Sequence, residues 1–143
     1  MAISLVKSLP AFFTKIGIDS LTKDLETHVL FGAFMGKRLV GFISLRKADI
    51  GSLEISWLAV GKKFQGLGIG SKLVRESLKK FTKDGFKICY VKTLAKTVKD
   101  EGYTQTRMFY KKLGFYTLEI INPYPSWIEG NPCQILAAAL PLS

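Results

Sequence analysis

Three glycines stand at alternate positions in Gln65-Gly66-Leu67-Gly68-Ile69-Gly70-Ser71, between an apolar run at residues 53–60 and a stretch of helical periodicity. Glycines in such a turn let the backbone come close to a ligand. The start of a helix adds unpaired N–H groups and the positive end of its dipole. The chemistry on offer is the cradling of a phosphate or diphosphate. The same glycines also serve a tight strand-to-helix turn that holds nothing. A P-loop reading fails because Leu67 and Gly68 occupy the places of its Lys and hydroxyl residue, counted from Gly61 and Gly66. A dinucleotide fingerprint fails too, since the spacing is G-x-G-x-G and the next strand ends at Lys92-Thr93-Leu94 with no acid.

The elements that must position these groups are legible from periodicity. Residues 9–26 predict one or two helices, broken at Gly17. Apolar runs at residues 28–35 and 39–46 around Gly36-Lys37-Arg38 predict a hairpin, and residues 53–60 a third strand. Ile69, Leu73, Val74, Leu78 and Phe81 form one face of a helix that ends at Asp84-Gly85, with Lys72, Arg75, Glu76, Lys79 and Lys80 on the other. Then follow a strand at 87–94, a helix from about Tyr103 to Leu113, and strands at 115–121 and 134–140. Residues 2–6 could supply a further first strand. This order predicts one mixed α/β domain over residues 1–143, whose central strand–helix–strand unit pairs in parallel through a right-handed crossover.

Composition narrows the chemistry. Of 143 residues, 21 are Lys or Arg and 11 Asp or Glu, a formal net charge of +10. All of that surplus falls between Lys62 and Lys112, so an anionic partner belongs there. Two cysteines, Cys89 and Cys133, make no disulfide framework. A single histidine, His28, leaves no His-based metal site or catalytic triad, and at a strand start it reads as a surface or hydrogen-bonded residue. No secretory leader and no membrane-length apolar run is evident, which predicts a cytoplasmic protein without a membrane partner.

The spacing Q-x-x-G-x-G at Gln65, Gly68 and Gly70 resembles the pyrophosphate loop of the GNAT superfamily of acyl-CoA N-acyltransferases. The resemblance extends upstream through Glu54-Ile55-Ser56-Trp57-Leu58-Ala59-Val60, similar to that family's fourth strand. Downstream it reaches Phe109-Tyr110-Lys111-Lys112-Leu113-Gly114-Phe115, similar to its second common motif. Matched in order over about half the chain, these motifs imply a GNAT-like mixed sheet with a splayed central strand pair and acetyl-CoA as acyl donor, without a metal.

The resemblance implies that the pantetheine arm pairs with the backbone of Leu58, Ala59 and Val60. The pyrophosphate would sit on N–H groups of Gln65, Gly66, Leu67, Gly68, Ile69, Gly70 and Ser71, and a backbone N–H near Leu58 would meet the thioester oxygen. Tyr110 lies where the family commonly has a general acid for the departing thiolate; its alternative role is core packing beside the Phe109–Leu113 pair. Glu54 matches the place where some members carry a general base, or else it is a rim residue at the strand end. The motif departs from the family at Tyr103 and Thr106, where Asn and Ala are usual. The Tyr103 hydroxyl could replace the Asn contact. The implied function is an N-acetyltransferase acting on a primary amine, of a small molecule or a peptide, by direct attack in a ternary complex. The alternative is a catalytically silent acyl-CoA-binding or regulatory module on the same fold. Nucleic-acid binding is disfavoured, because the basic segment shows no stacking aromatics and most of its charge is one helix's solvent face. The loop at 122–132, with Tyr124, Trp127 and Glu129, could border the acceptor, but reads first as a proline-stiffened loop with Trp127 capping the core. Homodimer formation stays open.

Overall fold

A computed structural model describes residues 27–125, 127 and 131–143. The helices expected at 9–26, the strand expected at 2–6 and Glu129 lie outside the described residues. The chain folds as β1 (Val29–Met35), β2 (Arg38–Asp49), β3 (Ser52–Val60), a 3-10 turn (Lys62–Phe64), α1 (Ile69–Lys83), β4 (Ile88–Leu94), α2 (Glu101–Lys112), β5 (Tyr116–Ile121) and β6 (Cys133–Ala139). Among the described residues one six-stranded sheet runs β1-β2-β3-β4-β6-β5. Every neighbouring pair is antiparallel except β3 and β4, the parallel pair that α1 connects. The fold is thus the mixed α/β sheet expected from the sequence.

Period-two alternation decides which side chains meet the helices. Ile43 and Leu45 of β2, Leu53 and Ile55 of β3, and Cys89 and Val91 of β4 enter the same core as Leu73, Val74, Leu78 and Phe81 of α1. Tyr110, Leu113 and Phe115 from α2 and the turn after it complete that core. The helices approach closely where a Cβ at Gly70 would lie 3.4 Å from the Phe109 ring. The residues between the core positions, Arg46, Glu54, Tyr90 and Lys92, therefore face the other way.

The two helices begin for different reasons. Helix α1 has no side-chain cap, and its N-cap Gly68 takes a left-handed φ of +81°, a conformation that favours glycine. Helix α2 starts at Glu101, two residues before the sequence expectation, because Asp100 accepts a hydrogen bond from the Tyr103 backbone N–H at 3.1 Å. Buried Arg107 then donates to the carbonyl of Leu94, the last residue of β4, and so fixes α2 against that strand end one turn before Tyr110.

Burial pushes the Cys89 thiol up to about 12, reinforced by the Glu54 charge and only partly offset by a backbone hydrogen bond at Ile55. The Cys133 thiol is raised as well, again chiefly by burial. The folded state therefore keeps these protons to higher pH than the unfolded chain. Their contribution to stability is complete below the ordinary thiol value and is lost as pH rises toward 12. At pH 8 the native chain is expected to leave both thiols unmodified by iodoacetamide on a timescale that alkylates the urea-unfolded chain fully, as read by intact mass.

Candidate active site

Strands β3 and β4 pair only from Ser52↔Ile88 to Ile55↔Val91, then part. One residue past the last pair, Ser56 forms a bulge: Leu45 of β2 faces Ile55 and the adjacent Ser44 faces Trp57. A bulge bends the strand and increases its twist, which carries the end of β3 away from β4. The gap opens a cleft of about 590 Å³. One wall is β3 from Ile55 to Val60, and another is the glycine loop with the start of α1. Val91 and Lys92 lie opposite, with Gly102, Tyr103, Gln105, Thr106, Phe109 and Tyr110 of α2.

At one end of the cleft the backbone is arranged for an anion. Gly66 and Gly68 take φ of +79° and +81°, and neither has an atom within 4 Å of where a Cβ would lie. Ile69, Gly70 and Ser71, the first turn of α1, have N–H groups with no intrahelical acceptor. Gln65 steadies the loop by donating its Nε2 to the Val60 carbonyl at 3.0 Å. Lys62 and Lys63 are exposed just before the loop, which sets a positive field at its mouth. Leu58, Ala59, Val60, Gln65, Gly66, Gly68, Ile69, Gly70 and Ser71 all line the cleft. Leu67 does not, and its side chain projects to solvent.

Tyr110, also in the cleft lining, is 3% exposed, packed edge-on against Phe109 and Phe115 at centroid distances of 5.1 and 5.3 Å. Burial holds its phenol far above the ordinary tyrosine value, with Cys89 adding to the effect. It is both a core residue and a cleft residue, so the two readings of its sequence position are not exclusive.

Glu54 does not line this cleft. It lies in a second cavity of about 430 Å³, with His28, Arg46 and Trp127. The two spaces adjoin, since Ile55, Ser56, Trp57, Lys92 and Tyr103 border both. Glu54 is 7% exposed and is no rim residue. Its Oε1 accepts from Arg46 Nε at 2.8 Å and its Oε2 pairs with Lys92 Nζ at 3.1 Å. Arg46 Nη2 also donates to Tyr90 Oη at 2.8 Å. Sheet register explains the cluster: Arg46 faces Glu54 across β2 and β3, Glu54 faces Tyr90 across β3 and β4, and Lys92 follows two residues on. The hydrogen bond to Glu54 raises the Arg46 pKa against the cost of burial. Burial opposes the Lys92 charge, but Tyr124 and Glu54 outweigh it and leave its pKa raised. Both side chains are therefore cationic at neutral pH.

Sequence reasoning missed Arg46, Tyr90 and Lys92. The available signal was a polar residue at alternate positions of otherwise apolar strands. His28 Nδ1 lies 3.1 Å from Ser44 Oγ, so it is the hydrogen-bonded residue expected. Among the described residues no group of His, Cys, Asp or Glu could hold a metal ion, and no helix is long and apolar enough to cross a membrane.

A family profile described as "Acetyltransferase (GNAT) domain" matches residues 26–117, almost two thirds of the chain. The chain belongs to the GNAT acetyltransferase family. Solved GNAT structures share its fold. A protein assigned to the family from Desulfovibrio desulfuricans is 20% identical, with a TM-score of 0.82 over 96% of this chain and 89% of its own. A GNAT acetyltransferase from Elizabethkingia anophelis, solved with acetyl-CoA bound, is 24% identical, with a TM-score of 0.69 over 85% and 82%. An aminoglycoside 6'-N-acetyltransferase complexed with coenzyme A is 19% identical, with a TM-score of 0.73 over 96% and 87%. No curated protein matches the sequence. In GNAT terms β3 and β4 are the splayed central pair that the sequence resemblance implied.

Proposed function

We propose that this chain is an N-acetyltransferase that transfers an acetyl group from acetyl-CoA to a primary amine by direct attack in a ternary complex. The observation that carries this reading is the continuity of the site. One cleft is lined by an N–H-rich glycine turn, the edge of β3 beyond its pairing with β4 and a buried phenol, and it shares Ile55, Ser56, Trp57, Lys92 and Tyr103 with a cavity holding a carboxylate. A phosphate-binding module alone has no use for the second half of that arrangement. Acetyl-CoA supplies a thioester, whose carbonyl carbon is electrophilic and whose thiolate can leave.

The chain's residues divide the remaining work. The N–H groups of residues 65–71 hold the diphosphate, and the edge of β3 over Leu58, Ala59 and Val60, not paired with β4, meets the pantetheine amides. The backbone N–H near Leu58 faces the thioester oxygen, where negative charge develops on attack. As the new C–N bond forms and the C–S bond breaks, Tyr110 gives its proton to the sulfur. The surplus proton on the amine nitrogen leaves through Glu54, directly or by way of water, and solvent restores the Tyr110 phenol. A phenol kept protonated by burial is a suitable donor, because the thiolate it serves is made basic by the same apolar walls. Tyr103 lines both cavities, and its hydroxyl takes the part of the usual Asn contact in this reading.

The test is thiol release from acetyl-CoA, followed with a thiol reagent over a panel of amines. Turnover with any amine above the hydrolytic background supports the proposal. Tight acetyl-CoA binding with no turnover on any amine would favour the silent binding module.

A further inference from the structure

The inference drawn here deepens the acetyl-transfer reading and rests on it: it concerns the chemical class of the acceptor. The second cavity places two cations, Arg46 and Lys92, around one carboxylate, Glu54. Both oxygens of Glu54 are engaged by those cations, so the cluster carries one surplus positive charge. It also carries surplus donors, since a guanidinium has five N–H groups and the bonds to Glu54 and Tyr90 use two. An amine that is only a cation meets like charge here, and finds the one acid among the cavity's described lining residues already occupied. A molecule that also carries a carboxylate meets what the cavity lacks. Once that carboxylate sits on Arg46 and Lys92, their charge no longer depends on Glu54 alone. A Glu54 oxygen can then turn to the ammonium and take its proton.

We propose that the acceptor is a small amino carboxylic acid, its carboxylate held by Arg46 and Lys92 and its amine presented to Glu54. Three features of the cavity fit that molecule. The volume of about 430 Å³ has room for an amino acid. Lys92 borders both cavities, so a carboxylate anchored on it holds the amine beside the cleft where the thioester would end. Trp57 and Trp127 add apolar surface to the lining for the remainder of the molecule. Polyamines and aminoglycosides, which bring several positive charges and no carboxylate, are disfavoured.

The experiment compares thiol release with α-, β- and γ-amino acids, with the amides of the same compounds, and with spermidine and kanamycin. An accepted amino acid is expected to exceed its amide in kcat/KM by about tenfold or more, the value of a charge-assisted hydrogen bond. Amidation lowers the amine pKa and supplies more neutral nucleophile, so this bias runs against the expected result. Arg46→Gln is expected to raise KM for the amino acid about 10–100-fold with KM for acetyl-CoA unchanged, and Arg46→Lys to restore part of the loss. Amides, spermidine or kanamycin turning over as well as the free acids would overturn the proposal. So would the absence of turnover with every amino acid while acetyl-CoA still raises the melting temperature. A failure of acetyl-CoA to bind would instead remove the acetyl-transfer reading itself.

Discussion

Tyr110→Phe is expected to lower kcat by about 10²–10⁴-fold while changing the affinity for acetyl-CoA by less than about twofold. The ring is a core residue, edge-on to Phe109 and Phe115, and Phe keeps that packing. What the variant loses is one proton donor in the cleft. The effect should therefore appear in kcat and not in KM, and the melting temperature should stay within about 2 °C. A donor that acts only when the thiolate leaves gives a further signature. Thioesters with better leaving groups should depend less on it, so that an acetylated aryl thiol recovers much of the lost rate. Unchanged turnover would take Tyr110 out of the mechanism and leave it as a packing residue alone.

The second large effect concerns the glycine turn and the start of α1. Ser71→Asp is expected to raise the melting temperature slightly and to weaken acetyl-CoA binding by about tenfold or more. Ser71 is the third residue of α1, whose first turn has no acidic residue and no side-chain cap. A carboxylate there favours the helix dipole by about 0.3–1 kcal/mol. The same carboxylate occupies the place where the diphosphate would sit and repels it. Stability and affinity thus move in opposite directions, which a variant that merely damages the fold does not do. Ser71→Asn, of similar shape without the charge, should bind within about threefold of the parent. Comparable losses from both variants would show that shape, and not the anion cradle, sets affinity there.

The strands and helices that carry the cleft were readable because each has a strong local pattern. Helix α1 follows from one apolar stripe, from Ile69 to Phe81, and the loop before it from glycines whose positive φ the structure shows. The start of α2 was missed by two residues because Asp100 caps it from within a polar stretch that reads as loop. The placement of β6 between β4 and β5 is a long-range pairing, and no local feature of residues 133–139 announces it. The same limit applies to the second cavity. Arg46 and Glu54 meet across the β2–β3 hairpin, and Tyr90, 44 residues from Arg46, joins them only through the register of β4 on β3. Glu54 was visible as an acid in an apolar run, but the two cations on its oxygens were not. Their presence turns a lone candidate base into part of a charged cluster, and shifts attention from the proton it could take to the anion its partners could hold.

The surplus positive charge was the other sequence feature without a clear target. Lys62 and Lys63 lie exposed at the glycine loop, while Lys72, Arg75, Lys79 and Lys80 line the outer side of α1. The first two fit the phosphates of a coenzyme. The helix charges lie on the solvent side, away from the β3–β4 gap, and nothing in the structure explains their number.

The most direct test of the cleft's role is the melting temperature of the purified chain with acetyl-CoA, set against equal concentrations of ATP and NAD. Saturation at about 100 times the dissociation constant stabilises the native state by about 2.7 kcal/mol, a rise of about 5–10 °C for a domain of this size. Acetyl-CoA is expected to produce that rise, with ATP and NAD producing little or none. No shift with millimolar acetyl-CoA, or an equal shift with all three, would contradict the assignment of the β3–β4 cleft to acetyl-CoA.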